Sequence, residues 1–248
     1  MPTDTYSQAI SSLSDLGPMR VWSLLVTVFG DLAPDRPLEG PTLSAIMAEI
    51  GIKPEASRVA LHRLRSDGWV ESEKLGRTSL HSLTLKGRSD SDAARARIYG
   101  QPCEAEAVLI LTSVPVDLDP TQFAQIAPRV FLCSPAAPIP EDAIEMAPQS
   151  LPAWLGAQIE TEAMRDAYKS LHAVLTDIAE ELGDELSPVQ TAALRILIVH
   201  AWRRLTLKHP DLPRAAHSPD WRGHDCRALV SSLLTRFARP DLDAIKAT

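Results

Sequence analysis

Residues 41–85 read PTLSAIMAEIGIKPEASRVALHRLRSDGWVESEKLGRTSLHSLTL, and their punctuation decides the fold of the N-terminal third. Leu43, Ile46, Met47 and Ile50 recur at i, i+3, i+4 and i+7, which gives one helix an apolar face. Thr42 is expected to cap its start and Gly51 to end it, since glycine takes the left-handed conformation without a Cβ clash. Pro54 stands where a second helix opens, at a position that needs no backbone N–H. Two helices joined by so short a turn form a helix-turn-helix.

The second helix, about Pro54 to Asp67, carries the chemistry. Winding it at about 100° per residue places Ala56, Val59, Ala60 and Leu64 inward, with Glu55, Arg58, His62, Arg65 and Ser66 outward. Two arginines, a histidine and a serine on one outer face suit phosphates and the acceptor edges of guanine. Arg63 falls nearer the inner face and reads as a structural ion-pair residue. Two strand-like runs follow, Trp69 to Glu73 and Ser79 to Leu85, with Leu75-Gly76-Arg77-Thr78 as the turn between them. A hairpin tipped with arginine directly after a recognition-type helix is a winged helix-turn-helix. Lys74 and Arg77 are then set to reach the backbone or minor groove. A solvated charged face or a protein-contact wing is the plainer alternative. The clustering of cations favours double-stranded operator DNA.

Charge distribution agrees with that preference. Of 248 residues, 25 are Lys or Arg and 32 are Asp or Glu, a formal charge of −7. Residues 53–97 hold ten Lys/Arg against six Asp/Glu, whereas residues 98–248 hold thirteen against twenty. A basic module on an acidic body limits indiscriminate nucleic-acid binding and leaves recognition to one surface.

Upstream, Met19 to Leu32 is a dense apolar segment with Val21, Leu24, Leu25, Val28 and Leu32 on helical spacing, expected to pack behind the helix-turn-helix. The Ser-rich opening, residues 1–18, is expected as a flexible tail without the basic start of a signal peptide. No apolar run reaches the roughly 18 residues of a membrane span. Cys103, Cys133 and Cys226 are far apart, odd in number and without metal-ligand pairing, and read as reduced thiols of a cytoplasmic protein. Thr84 is expected to cap a charged connector helix over about Leu85 to Ile98.

Further on, residues 105–112 and Arg129 to Ser134 read as buried strands, Pro120 to Ala127 as a short helix and Ala143 to Ala147 as a third strand. Leu155 to Leu182 reads as one long amphipathic helix ended by Gly183. Ser187-Pro188 opens another that runs to about Lys208. Its centre, Ala192 to Trp202, is apolar almost all round except for Arg195 and His200. Such a helix lies in a core or a subunit interface. Gly223 to Ala238 reads as the last helix.

The runs VWSLLVTVFGDL, SRVALHRLRSDGWVESEKLGRTSLHSLTLKGR and RARIYG resemble the N-terminal region of the PaaX family, bacterial repressors of phenylacetic acid catabolism. The run HAWRRLTLKHPDLPRAAHSPDWRG resembles the C-terminal signature of the same family. The sequence departs from the family at Gln101-Pro102-Cys103-Glu104, where a tryptophan-rich strand opening is usual. The resemblance implies a winged helix, a small ferredoxin-like middle domain and a helical C-terminal domain. It also implies an acyl-CoA thioester, typically phenylacetyl-CoA, as the effector that releases DNA. Trp202, Arg203, Arg204 and Trp221 are the candidates to hold it, the arginines on phosphates and the tryptophans on the acyl group. The competing roles are a loop-locking ion pair with Asp211 or Asp220 for the arginines and core packing for Trp154, Trp202 and Trp221.

Together these readings predict a mainly α chain with a small α/β part. A winged helix-turn-helix is expected over 19–100, a middle domain over 101–150 and a helical domain over 151–248. The expected activity is that of a homodimeric DNA-binding regulator without metal, cofactor or catalytic residues. His200, His209, His217 and His224 lack the spacing of a metal site. The alternative is a metabolite-binding protein or enzyme whose winged helix contacts other proteins.

Overall fold

In the computed structural model, which describes residues 2–101 and 106–245, the chain is mainly helical, with two small antiparallel sheets. It separates into two units. One comprises Met1–Ala96, Ala173–Ala201 and Leu229–Thr248, the other Arg97–His172 and Trp202–Ala228.

The first unit opens on helix α1 (Pro2–Asp15), where a flexible tail was expected. Tyr6, Ala9 and Leu13 recur at i, i+3 and i+7 and are buried, so a thin apolar stripe runs through the polar composition. Helix α2 (Val21–Leu32) buries Leu24, Leu25, Val28 and Phe29 completely. Strand β1 (Leu38–Glu39) leads into helix α3 (Gly40–Glu49), and helix α4 (Pro54–Ser66) follows. Glu39, not Thr42, is the N-cap of α3. Thr42 lies inside the first turn and donates its hydroxyl to the Ile245 carbonyl at 3.4 Å.

Both helices stop by the same device. Gly51, at φ 83°, donates to the Ala48 carbonyl at 2.8 Å while Ile52 N–H reaches back to Met47 O at 2.9 Å. Gly68, at φ 70°, donates to Arg65 O at 3.1 Å while Trp69 N–H reaches Leu64 O at 2.9 Å. These paired bonds are Schellman caps, and each needs the left-handed φ that glycine supplies. Strands β2 (Val70–Leu75) and β3 (Thr78–Leu83) form a hairpin whose loop is only Gly76 and Arg77, and β1 adds to its far edge in the order β1-β3-β2. Helix α5 (Leu85–Tyr99) starts at Thr84, whose hydroxyl donates to Gly68 O at 2.6 Å and accepts from Gly87 N–H at 3.1 Å.

The remaining elements are strands β4 (Val108–Leu111), β5 (Phe123–Ala127), β6 (Val130–Cys133) and β7 (Ile144–Met146). Helices α6 (Trp154–Ile159), α7 (Glu162–Glu181), α8 (Pro188–Thr206) and α9 (Gly223–Arg236) follow. From α8, residues 192–201 are buried without exception in the chain itself, so the apolar helix is a core helix and offers no face for a second subunit. The one arginine within 192–201 is fully employed. Arg195 grips Asp31 with two bonds, 2.6 and 3.1 Å, and donates to the Leu234 and Phe237 carbonyls at 2.8 and 3.0 Å. Ser187 and Gln190 exchange side-chain and backbone bonds at the start of α8, a capping box. Arg236, rather than a left-handed Gly183, closes α7. It donates to the Ala179 and Leu182 carbonyls and to Asp184.

In the second unit the sheet order is β5-β6-β4-β7, antiparallel throughout. Strands β4 and β5 run the same way with β6 between them, the strand plan of a ferredoxin-like sheet. The crossover helices of that plan are absent between 112 and 122 and between 134 and 143. Both crossings are made in loop and turn, and the helix expected over 120–127 is β5, with Phe123 buried on its inner side. The single helix expected over 155–182 is broken between α6 and α7. Glu160 sits there in extended conformation, its carboxylate buried and accepting from Ser218 N–H at 2.8 Å, Ser218 hydroxyl at 2.6 Å and His217 Nδ1 at 3.0 Å. Those three bonds outweigh helix continuation.

Cys133 and Cys226 are free thiols, and burial pushes them up to about 11 and about 12. Neither is a reactive nucleophile at neutral pH. Cys103 lies outside the described residues. No helix among the described residues is long and apolar enough to cross a membrane.

Candidate nucleic-acid interface

Helix α4 buries only Ala60 and Leu64 completely, and the outward half of its surface is open. Arg58, His62, Arg65 and Ser66 are all exposed on it, as are Lys74 on β2 and Arg77 in the hairpin loop. The side chains of His62, Arg65, Lys74 and Arg77 make no hydrogen bond or ion pair among the described residues. Arg58 Nη2 donates to Glu55 Oε1 at 2.9 Å, an exposed i,i+3 pair. Such a pair is worth little and is readily exchanged for a phosphate or a base edge. Ser66 donates its hydroxyl to the His62 carbonyl at 3.1 Å and keeps its acceptor lone pairs. Arg63 takes the structural role expected of it, paired with Asp67 at 3.7 Å and lying 5.4 Å from the Trp22 ring centroid.

The hairpin is made rigid at its base and bare at its tip. Its inner anchor is His81, buried and held by Ser72 Oγ at 2.7 Å, with its protonation opposed first by burial and then by Arg65. Gly76 turns the chain at φ 62°, which lets a two-residue loop present Arg77. Strand β2 is exposed from Glu71 to Leu75, and Leu75 itself is largely uncovered.

One residue of this face differs from the expectation. Val59 was expected inward, yet its side chain is 72% exposed. At 100° per residue it lies within about 60° of His62 and on the opposite side from Leu64. The apolar residue type, not the angle, had placed it in the core.

The effector candidates separate in the second unit. Trp202 and Trp221 are buried and both pack on Tyr168, with ring centroids 6.2 and 4.5 Å away. Trp202 Nε1 donates to the Ile98 carbonyl at 2.9 Å. The His217 ring is stacked on Trp221 at 4.5 Å, and His209 receives or gives a 2.5 Å bond with the Tyr168 hydroxyl. Arg203 and Arg204 are only partly buried and do not line the small cavity among these rings. The cation there is Arg227, 5.3 Å from the Trp202 ring centroid and bonded to Asp211 at 2.7 Å and to the Arg97 and Gly100 carbonyls. Asp211 is therefore an ion-pair partner, but of Arg227. Trp154, grouped with the core anchors, is 61% exposed. Arg97, read as one more charge on a connector, is a half-buried fastener that donates to the Thr121, Thr206 and His209 carbonyls. The cavity holds about 20 Å³, room for a water molecule and far below what an acyl group requires.

Comparison with known proteins follows the same two segments. A family model described as PaaX-like protein matches residues 20–87, and one described as PaaX-like protein C-terminal domain matches residues 159–245. The transcriptional repressor PaaX of Escherichia coli (strain K12) is 27% identical over 258 residues, spanning 89% of this chain and 81% of that protein. The solved structure of the uncharacterized protein Rv0674 from Mycobacterium tuberculosis is similar with a TM-score of 0.57 at 19% identity. That match covers 90% of this chain and 97% of the other; it concerns the fold alone.

Proposed function

The chain belongs to the PaaX-like family, and from that premise we propose that it is a DNA-binding transcriptional repressor, a regulator and not an enzyme. The observation that carries the reading is the uncommitted basic surface of α4 and the hairpin tip, His62, Arg65, Lys74 and Arg77 above all. In this reading α3 and α4 are a helix-turn-helix, α4 enters the major groove of operator DNA, and β2–β3 is the wing. The likeness to a named repressor across both halves of the chain supports it. Fluorescence anisotropy with the DNA upstream of the chain's own gene is the test. Arg58→Ala and Arg65→Ala should each weaken binding by about 1–3 kcal/mol and relax specificity at one position. Unchanged affinity in both would move the interface elsewhere.

The finer reading is a repressor of a phenylacetate-type catabolic operon, released by an acyl-CoA and acting as a homodimer. One recognition helix reads only a few base pairs, so two copies on half-sites about 34 Å apart would supply the specificity a repressor needs. The aromatic cluster of Tyr168, Trp202 and Trp221 with Arg227 has the groups an acyl thioester requires. Its rings are packed shut, so a ligand must open them, and it acts as inducer only by binding the DNA-incompetent state better. A tenfold loss of operator affinity corresponds to about 1.4 kcal/mol of such coupling. Titration of the protein–operator complex with phenylacetyl-CoA, with free phenylacetate as control, should release DNA only with the thioester. No heat of binding and no release at millimolar ligand would retire the effector and leave the repressor.

A further inference from the structure

We propose that Val59 is a base-reading residue that packs against the C5-methyl of a thymine in the operator. The inference rests on the DNA-binding reading of α4 and adds to it a base identity. The side chain is 72% exposed, flanked one turn away on the same helix by Glu55 and His62 and followed at i+7 by Ser66, all of them exposed. A β-branched residue there serves neither the core, which Ala60 and Leu64 fill, nor helix propensity, for which alanine or a straight-chain polar residue is better. Single exposed apolar residues are ordinary on protein surfaces. This one differs in its setting, the only large apolar side chain exposed on the described α4. It sits in the N-terminal half, the part of a recognition helix that reaches base edges.

The chemistry narrows the partner. In the major groove, thymine alone among the four bases presents a methyl group, and an apolar side chain is what distinguishes it. Arginine and histidine donors beside Val59 address acceptor edges and cannot see that methyl. Val59 thereby complements Arg58 and His62 in reading a step that contains both a hydrogen-bonding base and a thymine.

The experiment replaces each operator thymine in turn by deoxyuridine, which removes only the methyl. Affinity is measured for the unaltered protein and for Val59→Ala, whose exposed position leaves folding undisturbed. At one thymine per half-site the unaltered protein should lose about fourfold, the value of one buried methyl-sized group. Val59→Ala should be insensitive to that same replacement, and its salt dependence should match the unaltered protein's, because no phosphate contact is lost. Equal sensitivity of both proteins at every thymine overturns the proposal while leaving DNA binding intact. Absence of any sequence-specific binding by the unaltered protein overturns the repressor reading itself.

Discussion

Asp31 is fully buried, and its carboxylate meets the Arg195 guanidinium in a two-bond fork that leaves neither charge alone. Removing one partner strands the other, so Asp31→Ala should cost about 3–5 kcal/mol, read as a lowered urea midpoint with little change of slope. The double replacement of Asp31 and Arg195 by apolar residues should recover only part of that loss, because the Leu234 and Phe237 carbonyls then lose their donor. Gly87 is a second sensitive point, because a Cβ there would stand 2.2 Å from the Trp69 carbonyl oxygen. Gly87→Ala must push backbone, not a flexible side chain, and should destabilise by about 1–3 kcal/mol in thermal melts. Neither role was legible beforehand. Arg195 could be seen as a lone charge on an apolar helix, but its partner stands 164 positions away. Thr84, Gly51 and Pro54 were legible, since such caps are local in the sequence.

At the level of elements, the helices and hairpin of 41–85 were readable because their punctuation is covalently close. Misreadings arose where tertiary bonds override local pattern. Glu160 interrupts an otherwise continuous helical periodicity because Ser218 and His217 hold it extended. Arg236 closes α7 where a glycine was expected to do so. The face of α4 makes a prediction of its own kind. Arg77→Ala at the hairpin tip should weaken operator and unrelated DNA alike and flatten the dependence on salt. A replacement on α4 such as Arg65→Ala should act mainly on the operator. Parallel titrations at two salt concentrations separate the two, and equal behaviour would overturn the proposed division of labour between α4 and the hairpin.

For the whole molecule, the histidines set the response to acid. Burial is the leading cause that holds His209, His217 and His224 below the ordinary value of 6.5, His217 down to about 4, and His81 is lowered in the same way. The folded protein therefore keeps these rings neutral while the unfolded chain protonates them near 6.5. Their contribution is intact above about pH 6.5 and is lost progressively as pH falls toward 4. Denaturation midpoints should fall across that window, and His217→Gln should make the decline shallower. A midpoint independent of pH between 6.5 and 4 would contradict the burial of the cluster.

The bond from Arg195 to the Phe237 carbonyl has a consequence for biogenesis. The unit that bears α4 also takes in residues 229–245, and Thr42 leans on Ile245. A ribosome adding about 5–20 residues per second takes roughly 10–40 s to travel from Asp31 to Phe237. During that interval the nascent chain has its basic helix but not the segments that complete its support. A message truncated after the hairpin would not yield a stable miniature of this unit.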